Sequence, residues 1–287
     1  MLVRYIKLKQ PLFRQLIRWD KPVGTLLLLW PTLTALWLAN HGPPPLELLI
    51  IFSLGVVITR AAGCVINDIA DRKLDGAVAR TCQRPLATQA LTLLEAVAFL
   101  IGLLVIALCL LLLLPLACVP VALVAVMLSG CYPWTKRFFP YPQLFLGLAF
   151  NTGVLMAYVA LQNKLPISAW LLYVIAMLWT FVYDTWYAMV DQQDDEKIGI
   201  RSSAISLGRY AVPTNATIFL LIFLLFLGIG KINSLSLWFF IGVSLVGIQF
   251  AWQCRICKDQ HPSHCFRAFN SNQWAWLLVF LSVVLSC

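Results

Sequence analysis

The sequence predicts an all-α integral membrane protein with about nine transmembrane helices in one bundle. The first observation behind this is composition: 61% of the 287 residues are hydrophobic and 11% are charged, against about 25% charged in soluble domains. The second is a series of apolar runs of the roughly 20 residues that a membrane-spanning helix needs. No polar stretch is long enough for a separate soluble domain. We therefore expect residues 1–287 to form a single polytopic membrane domain, with 1–22 as a basic cytoplasmic N-terminal segment.

The apolar runs, separated by polar residues, prolines and glycines, define the spans in order along the chain. The third and fourth runs are divided only at Pro115, and the last run stops with the sequence, so eight or ten spans remain open as alternatives. The predicted spans are residues 23–40, 46–66, 91–113, 116–132, 142–161, 168–190, 212–230, 234–253 and 272–287.

The basic residues test the number of spans independently, because cytoplasmic loops of membrane proteins are enriched in Lys and Arg. With nine spans and a cytoplasmic N-terminus, only Lys164 and Lys231 among the 21 basic residues fall on the outer side. A missed or extra span would destroy this alternation. We therefore expect a multi-pass protein of the bacterial inner membrane, and the net charge of +9 reflects topology, with no nucleic-acid partner expected.

The acidic residues concentrate in two clusters on the predicted cytoplasmic side. Asp68, Asp71 and Asp75 follow the second span at i, i+3 and i+7, which is one face of a helix. The second cluster follows the sixth span and consists of Asp191, Asp194, Asp195 and Glu196, with Asp191 and Asp195 at i and i+4. Carboxylates at this spacing repel one another, so a cation is expected to offset them.

Oxygen ligands on two helical walls are typical of Mg²⁺ that is bound together with substrate phosphates. Asn67 adds an amide oxygen to the first cluster, and basic residues that could hold an anion lie nearby: Arg80, Arg84, Lys136, Arg137 and Arg201. The sequence therefore favours a magnesium diphosphate as ligand. The alternative is that the acids are solvated loop residues balanced by Arg72, Lys73 and Lys197.

Three motifs resemble the UbiA superfamily of intramembrane aromatic prenyltransferases. They are residues 67–75 (NDIADRKLD) followed by RT at 80–81 and RPL at 84–86, residues 187–200 (YAMVDQQDDEKIGI), and residues 18–25 (RWDKPVGT). Gln192, Gln193 and Trp186 depart from the residues that the family commonly carries. The similarity extends over almost the whole chain and implies a UbiA-like bundle around a central cavity.

The resemblance also implies an activity. It predicts transfer of a polyprenyl group from polyprenyl diphosphate to the ring carbon ortho to the hydroxyl of 4-hydroxybenzoate, with release of diphosphate, in ubiquinone biosynthesis. Mg²⁺ is the implied cofactor, and membrane lipid surrounds the substrates.

Residue roles follow from the same resemblance. Asp191 is the candidate catalytic residue that shares the phenol proton, and Arg137 is the candidate partner of the acceptor carboxylate. The implied metal ligands are Asn67, Asp68, Asp71, Asp75, Asp191 and Asp195, and the implied substrate-binding residues are Arg18, Arg72, Lys73, Lys136, Arg137, Tyr187, Lys197 and Arg201.

Other interpretations remain open. A related prenyltransferase would act on a naphthoate, homogentisate or haem acceptor. The segment 75–80 (DGAVAR) contains the core of a CDP-alcohol phosphatidyltransferase motif but lacks its downstream acids, and membrane-embedded acids also occur in cation-coupled transporters. Five residues between the last two spans, whose spacing is too tight for a standard zinc finger, form a further candidate metal group: Cys254, Cys257, His261, His264 and Cys265.

Overall fold

The computed structural model describes the backbone of residues 2–287 and the side chains of residues 9–287. Met1 and the side chains of Arg4 and Lys7, which belong to the predicted basic N-terminal segment, lie outside the described part. The twelve α-helices are α1 Leu2–Leu16, α2 Val23–Asn40, α3 Leu46–Asp71, α4 Leu93–Leu112, α5 Cys118–Thr135, α6 Pro142–Phe150, α7 Thr152–Gln162, α8 Ile167–Ile198, α9 Ser203–Leu207, α10 Ala211–Ile232, α11 Leu237–Ile256 and α12 Pro262–Val284.

The predicted bundle of about nine membrane helices is confirmed. Eight helical segments of the described chain are long and apolar enough to cross a membrane, and they correspond to the first eight predicted spans. Helix α12, which contains the ninth predicted span, is not among these eight segments; it packs against α2, α8 and α11. Its first half is polar, so α12 begins at Pro262, well before the predicted start at position 272.

Helix α8 lies at the centre of the bundle, against α6, α10 and α12. Trp179 and Trp186 of α8 are fully buried. Their indole N–H groups donate hydrogen bonds to Asn272 Oδ1 (2.7 Å) and Gln253 Oε1 (3.1 Å), respectively. Because lipid offers no hydrogen-bond partner, such interhelical pairs hold membrane helices in a fixed rotation. They orient α8 and therefore the acidic residues near its C-terminal end, Ile198.

The predicted span 142–161 is not one helix but two, α6 and α7, which meet at Asn151. The Asn151 side chain donates to Gly147 O (2.8 Å) and to Thr180 Oγ1 of α8 (2.9 Å). Gly147 allows this close approach, since a Cβ atom there would lie 2.7 Å from the carbonyl oxygen of Met177. The interruption is thus stabilised by contacts with α8, as expected for broken membrane helices buried in protein.

Two helices run beyond the apolar spans that predicted them, and these extensions carry the acidic residues. Helix α3 continues from the predicted end at position 66 to Asp71, and α8 continues from position 190 to Ile198. Gly199 ends α8 with φ +73°, a left-handed conformation that glycine adopts without strain. Asp68 and Asp71 of the first cluster, and Asp191 and Asp195 of the second, are therefore held on helical ends.

Candidate active site

The first acidic cluster is buried at the end of α3. Asp68, Asp71 and Asp75 are only 1%, 7% and 5% exposed. The predicted single helical face is wrong for its last member, because α3 ends at Asp71 and Asp75 begins a separate 3₁₀ turn, Asp75–Ala77. The hydroxyl of Thr81 donates to the Asp75 carbonyl oxygen (2.8 Å) and fixes this turn.

Basic side chains surround the first cluster. Arg84 Nη1 lies 3.1 Å from Asp68 Oδ1 and 2.9 Å from Asp75 Oδ1, so one guanidinium bridges two buried carboxylates. Arg18 Nη2 donates to Asp68 at 2.6 Å. Burial raises the pKa of Asp75 above its ordinary value, and the nearby Arg84 partly offsets this effect. The cluster therefore needs its cations to remain ionised.

Lys136, the residue that follows α5, also contacts this cluster. Its ammonium group lies 3.5 Å from Asp71 Oδ2 and donates to Asn67 Oδ1 at 3.2 Å. It also lies 5.1 Å from the centre of the Tyr132 ring. The predicted substrate-binding residues Arg18 and Lys136 thus both contact predicted metal ligands.

The second cluster is reached by Arg80, from the loop that follows the first. Arg80 Nε lies 2.9 Å and 3.0 Å from the two oxygens of Asp191, and Nη2 also pairs with this carboxylate. The Arg80 guanidinium stacks 4.5 Å from the centre of the Tyr187 ring and donates to the Tyr187 hydroxyl. Burial disfavours the charged guanidinium, but hydrogen bonds with Asp191 raise the pKa of Arg80 overall.

The two clusters therefore lie on the same face of the bundle and are joined by one loop. Besides the Arg80–Asp191 pair, the backbone N–H of Ala79 donates to Asp194 Oδ2 at 3.3 Å. Tyr187 in turn packs on Phe269 of α12, with ring centres 4.5 Å apart. Helices α3, α8 and α12 together position this arrangement.

The residues suit a metal ion that shares its ligands with a phosphate. Within the described chain, no group of three or more His, Cys, Asp or Glu residues is placed to hold a metal ion by itself. Mg²⁺ commonly binds through one or two carboxylates together with substrate phosphates. The two carboxylate clusters, which lie on the same face of the bundle, could each supply such ligands. Among the described residues no side chain donates a hydrogen bond to the carboxylate of Asp195, which leaves it available as a ligand.

Several predicted substrate-binding residues lie apart from the carboxylates. Arg72 donates to Ile69 O (2.7 Å) and Arg137 to Ala70 O (3.3 Å). Both line, with Lys73, a cavity of about 570 Å³ beside the end of α8. Lys197 is 73% exposed and pairs with Asp194, and Arg201 donates to Phe138 O (3.0 Å). Within the described residues, none of these five cations pairs with a predicted metal ligand.

Two charged residues inside the membrane spans were not selected from the sequence. Asp184 lies on α8 two turns before Asp191, within electrostatic range of Lys136, Arg80 and Arg60. Arg60 lies on α3 two turns before Asn67, and its buried Nε has no hydrogen-bond partner among the described residues. Both could have been selected from the sequence, because a charged residue within an apolar span usually marks a functional site. In the sequence, Arg60 served only as one of the basic residues that indicate topology.

The geometry can be compared with known proteins. The model of the UbiA prenyltransferase family matches residues 28–284. A protein of Aromatoleum aromaticum named 4-hydroxybenzoate octaprenyltransferase is 44% identical over 275 residues, covering 96% of this chain and 94% of that protein. The chain therefore belongs to the UbiA prenyltransferase family and is a multi-pass membrane protein.

Solved structures agree in fold. A UbiA homologue from Aeropyrum pernix K1, solved without ligand, aligns with a TM-score of 0.81 at 23% identity, covering 91% of this chain and 97% of that one. A UbiA homologue from Archaeoglobus fulgidus bound to GPP and Mg²⁺ aligns with a TM-score of 0.69 at 16% identity, covering 95% and 99%.

Proposed function

We propose that this member of the UbiA prenyltransferase family transfers a polyprenyl group from polyprenyl diphosphate to the ring carbon ortho to the hydroxyl of 4-hydroxybenzoate, in ubiquinone biosynthesis. The observation that carries the proposal is the pairing of two carboxylate clusters at one end of the bundle through Arg80. Full-length similarity to a protein named 4-hydroxybenzoate octaprenyltransferase supports the choice of acceptor and prenyl donor.

The donor is proposed to bind with its diphosphate between the clusters and its prenyl tail among the apolar helices. The residues that would hold Mg²⁺ are Asn67, Asp68, Asp71, Asp75, Asp191 and Asp195. When bound, the metal neutralises charge on the leaving diphosphate, as the Mg²⁺ complex of the Archaeoglobus homologue makes reasonable. Arg80, Arg84 and Lys136, which contact these carboxylates, would donate to the phosphate oxygens of the bound donor.

The chemical step breaks the bond between the allylic carbon and the diphosphate oxygen, and the electron pair leaves with diphosphate. Asp191 shares the phenol proton of the acceptor, which raises electron density at the ortho carbon. That carbon forms the new bond to the allylic carbon, and its proton then passes to the released diphosphate, which restores the aromatic ring. The Tyr187 ring is placed beside Arg80, where its face could also stabilise the developing allylic cation.

Two cations, Arg137 and Arg60, are candidates for binding the carboxylate of the acceptor. Arg137 is the candidate from resemblance, and with Arg72 and Lys73 it would attract the anionic acceptor to the cytoplasmic surface. Arg60 is favoured by its position inside the bundle and by its buried, unpartnered Nε, since a buried donor without a partner is costly. We place the bound carboxylate at Arg60 and the entry path at Arg137.

The proposed orientation is supported by the basic residues, of which only Lys164 and Lys231 fall in the predicted outer loops. We infer that the chain lies in the bacterial inner membrane as one domain, 1–287, with its N-terminus and both carboxylate clusters on the cytoplasmic side. A soluble, anionic acceptor and a lipid-borne donor would then meet at the inner leaflet. Arg18, which pairs with Asp68, would position the first cluster from the N-terminal segment.

The function is tested with membranes containing the protein, radiolabelled 4-hydroxybenzoate, a polyprenyl diphosphate and Mg²⁺. Lipid-extractable label should form, should disappear with EDTA, and should be lost in Asp71→Asn and Asp191→Asn. Lys231→Gln is the control, since Lys231 is exposed at the far end of α10. Activity with only a naphthoate or homogentisate acceptor would refute the acceptor but not the family chemistry.

A further inference from the structure

A second polar cavity lies outside the carboxylate site, where α11 ends and α12 begins. Its volume is about 690 Å³, and it is lined mainly by Trp252, Arg255, Lys258, Asp259, His264 and Arg267. The connecting loop contacts the cytoplasmic half of the molecule: Gln260 Nε2 donates to Gly208 O at 3.2 Å, and Cys265 lies 3.5 Å from Met189 of α8. The cavity therefore opens on the same membrane face as the carboxylates.

The cavity carries uncompensated positive charge. Arg255, Lys258 and Arg267 form no ion pair with any residue whose side chain is described, whereas the carboxylate of Asp259 is already engaged. The His264 ring nitrogen lies 3.0 Å and 3.2 Å from its oxygens. The backbone N–H of His261 donates to the same group at 3.1 Å, and these bonds lower the pKa of Asp259. The cavity thus holds three cations and one carboxylate, and that carboxylate is already hydrogen-bonded to His261 and His264.

An apolar stripe leads to this cavity along each helix. On α11 the exposed side chains include Trp238, Ile241, Leu245 and Ile248. Their alternating intervals of three and four residues continue to Trp252 and Arg255. On α12, Arg267 and the exposed Trp274 and Leu281 are spaced seven residues apart, which is two helical turns. Exposed apolar residues at this spacing form one helix face, which in a membrane faces lipid.

The end of the stripe next to the cavity carries residues that are typical of the membrane interface. The guanidinium of Arg267 lies 5.4 Å from the centre of the Trp252 ring, and Trp is enriched where acyl chains meet headgroups. Basic pockets between membrane helices on the cytoplasmic side typically bind anionic lipid headgroups. A free phosphate would use the cations but would leave the apolar stripe without a role.

We propose that this cavity binds the phosphate headgroup of an anionic phospholipid of the cytoplasmic leaflet, whose acyl chains lie on the exposed stripe of α11 and α12. The site is separate from the prenyl-transfer site, and its occupancy does not depend on the proposed reaction. Arg255, Lys258 and Arg267 hold the phosphate, and Trp252 packs at the junction of headgroup and chains.

The test uses the full chain in detergent micelles, with bound lipid counted by native mass spectrometry during titration with phosphatidylglycerol or phosphatidylcholine of the same acyl chains. One phosphatidylglycerol should bind at least about tenfold more tightly than phosphatidylcholine. Each cation near the membrane surface contributes about fivefold, so the triple variant Arg255→Gln/Lys258→Gln/Arg267→Gln should lose about a hundredfold. Arg209→Gln is the matched control.

Arg209 suits this purpose because it also stacks on an aromatic ring, 4.9 Å from the centre of Tyr210, but lies outside the cavity. If the triple variant does not fold, Arg267→Gln alone should lose about fivefold. The proposal is overturned if both lipids bind equally, if the variants bind like the wild type, or if Arg209→Gln is as weak as the triple variant. Displacement of the lipid by an equal concentration of inorganic phosphate would assign the cavity to a free anion and would also overturn it.

Discussion

Replacing Arg84 with glutamine should destabilise the fold by leaving two buried carboxylates short of a cation. In the structure one Arg84 nitrogen lies 3.1 Å from Asp68 and 2.9 Å from Asp75. The side chains of these aspartates are only 2% and 7% exposed, and that of Arg84 is 16% exposed. The neutral glutamine retains hydrogen-bonding groups but removes the charge that both carboxylates share.

The expected magnitude follows from these partners. Removing one member of a buried ion pair typically costs about 3–5 kcal/mol. Asp68 keeps Arg18 at 2.6 Å, so the loss falls mainly on Asp75 and should be near the lower end, about 3 kcal/mol. The variant Arg84→Gln/Asp75→Asn removes the unpaired charge as well and should recover about half of this loss.

The dependence on pH has a definite sign. The pKa of Asp75 in the fold is raised by burial, so the ionised carboxylate opposes folding at neutral pH, and this cost disappears as the pH falls through the raised pKa. The defect of Arg84→Gln should therefore shrink on acidification, and the double variant should show little such change.

The measurement is unfolding of the metal-free protein by SDS in mixed micelles, followed by circular dichroism at several pH values. Arg209→Gln, an exposed arginine, serves as the control and should be nearly neutral. A loss below about 1 kcal/mol, typical of an exposed ion pair, would refute the reasoning. So would a double variant whose loss equals the sum of the two single losses.

Three further outcomes are expected. Gly147→Ala should lower the free energy of unfolding by about 1–3 kcal/mol in the same assay through overpacking, because its Cβ would lie 2.7 Å from a carbonyl oxygen of α8. Gly228→Ala, which has open space around it, should not destabilise the protein. Equal effects of the two variants would contradict this reasoning. Arg60→Gln should raise the KM for 4-hydroxybenzoate at least about tenfold, and a larger effect of Arg137→Gln would reverse our assignment. Tyr187→Phe should lower kcat about tenfold by loss of the hydroxyl that holds Arg80, and an unchanged kcat would exclude that role.

The spans and both acidic clusters were predictable because their signals are local in sequence. Apolar runs and the alternation of basic loops identify membrane helices without knowledge of their packing. The cluster spacing, with Asp191 and Asp195 one helical turn apart, is likewise a local property. The break at Asn151 was not predictable, because it depends on a hydrogen bond to Thr180 of another helix.

The placement of individual cations was the least predictable part of the site. Arg72 lies within the first cluster in sequence and Arg80 follows it, but only Arg80 pairs with Asp191, because the chain turns after α3 ends. Arg72 instead donates to a backbone carbonyl of its own helix. Which side a loop side chain faces depends on tertiary structure, so proximity in sequence to the acids did not identify their partners.

The site contains its own counter-ions. Four acids are matched by four cations from separate parts of the chain: Asp68, Asp71, Asp75 and Asp191 pair with Arg18, Arg80, Arg84 and Lys136. When a magnesium diphosphate binds, these acids would hold the metal and these cations would hold the phosphate oxygens, so each group would exchange an internal partner for one on the substrate. The same four ion pairs would re-form when diphosphate leaves, so the protein itself supplies the groups that replace the departing product.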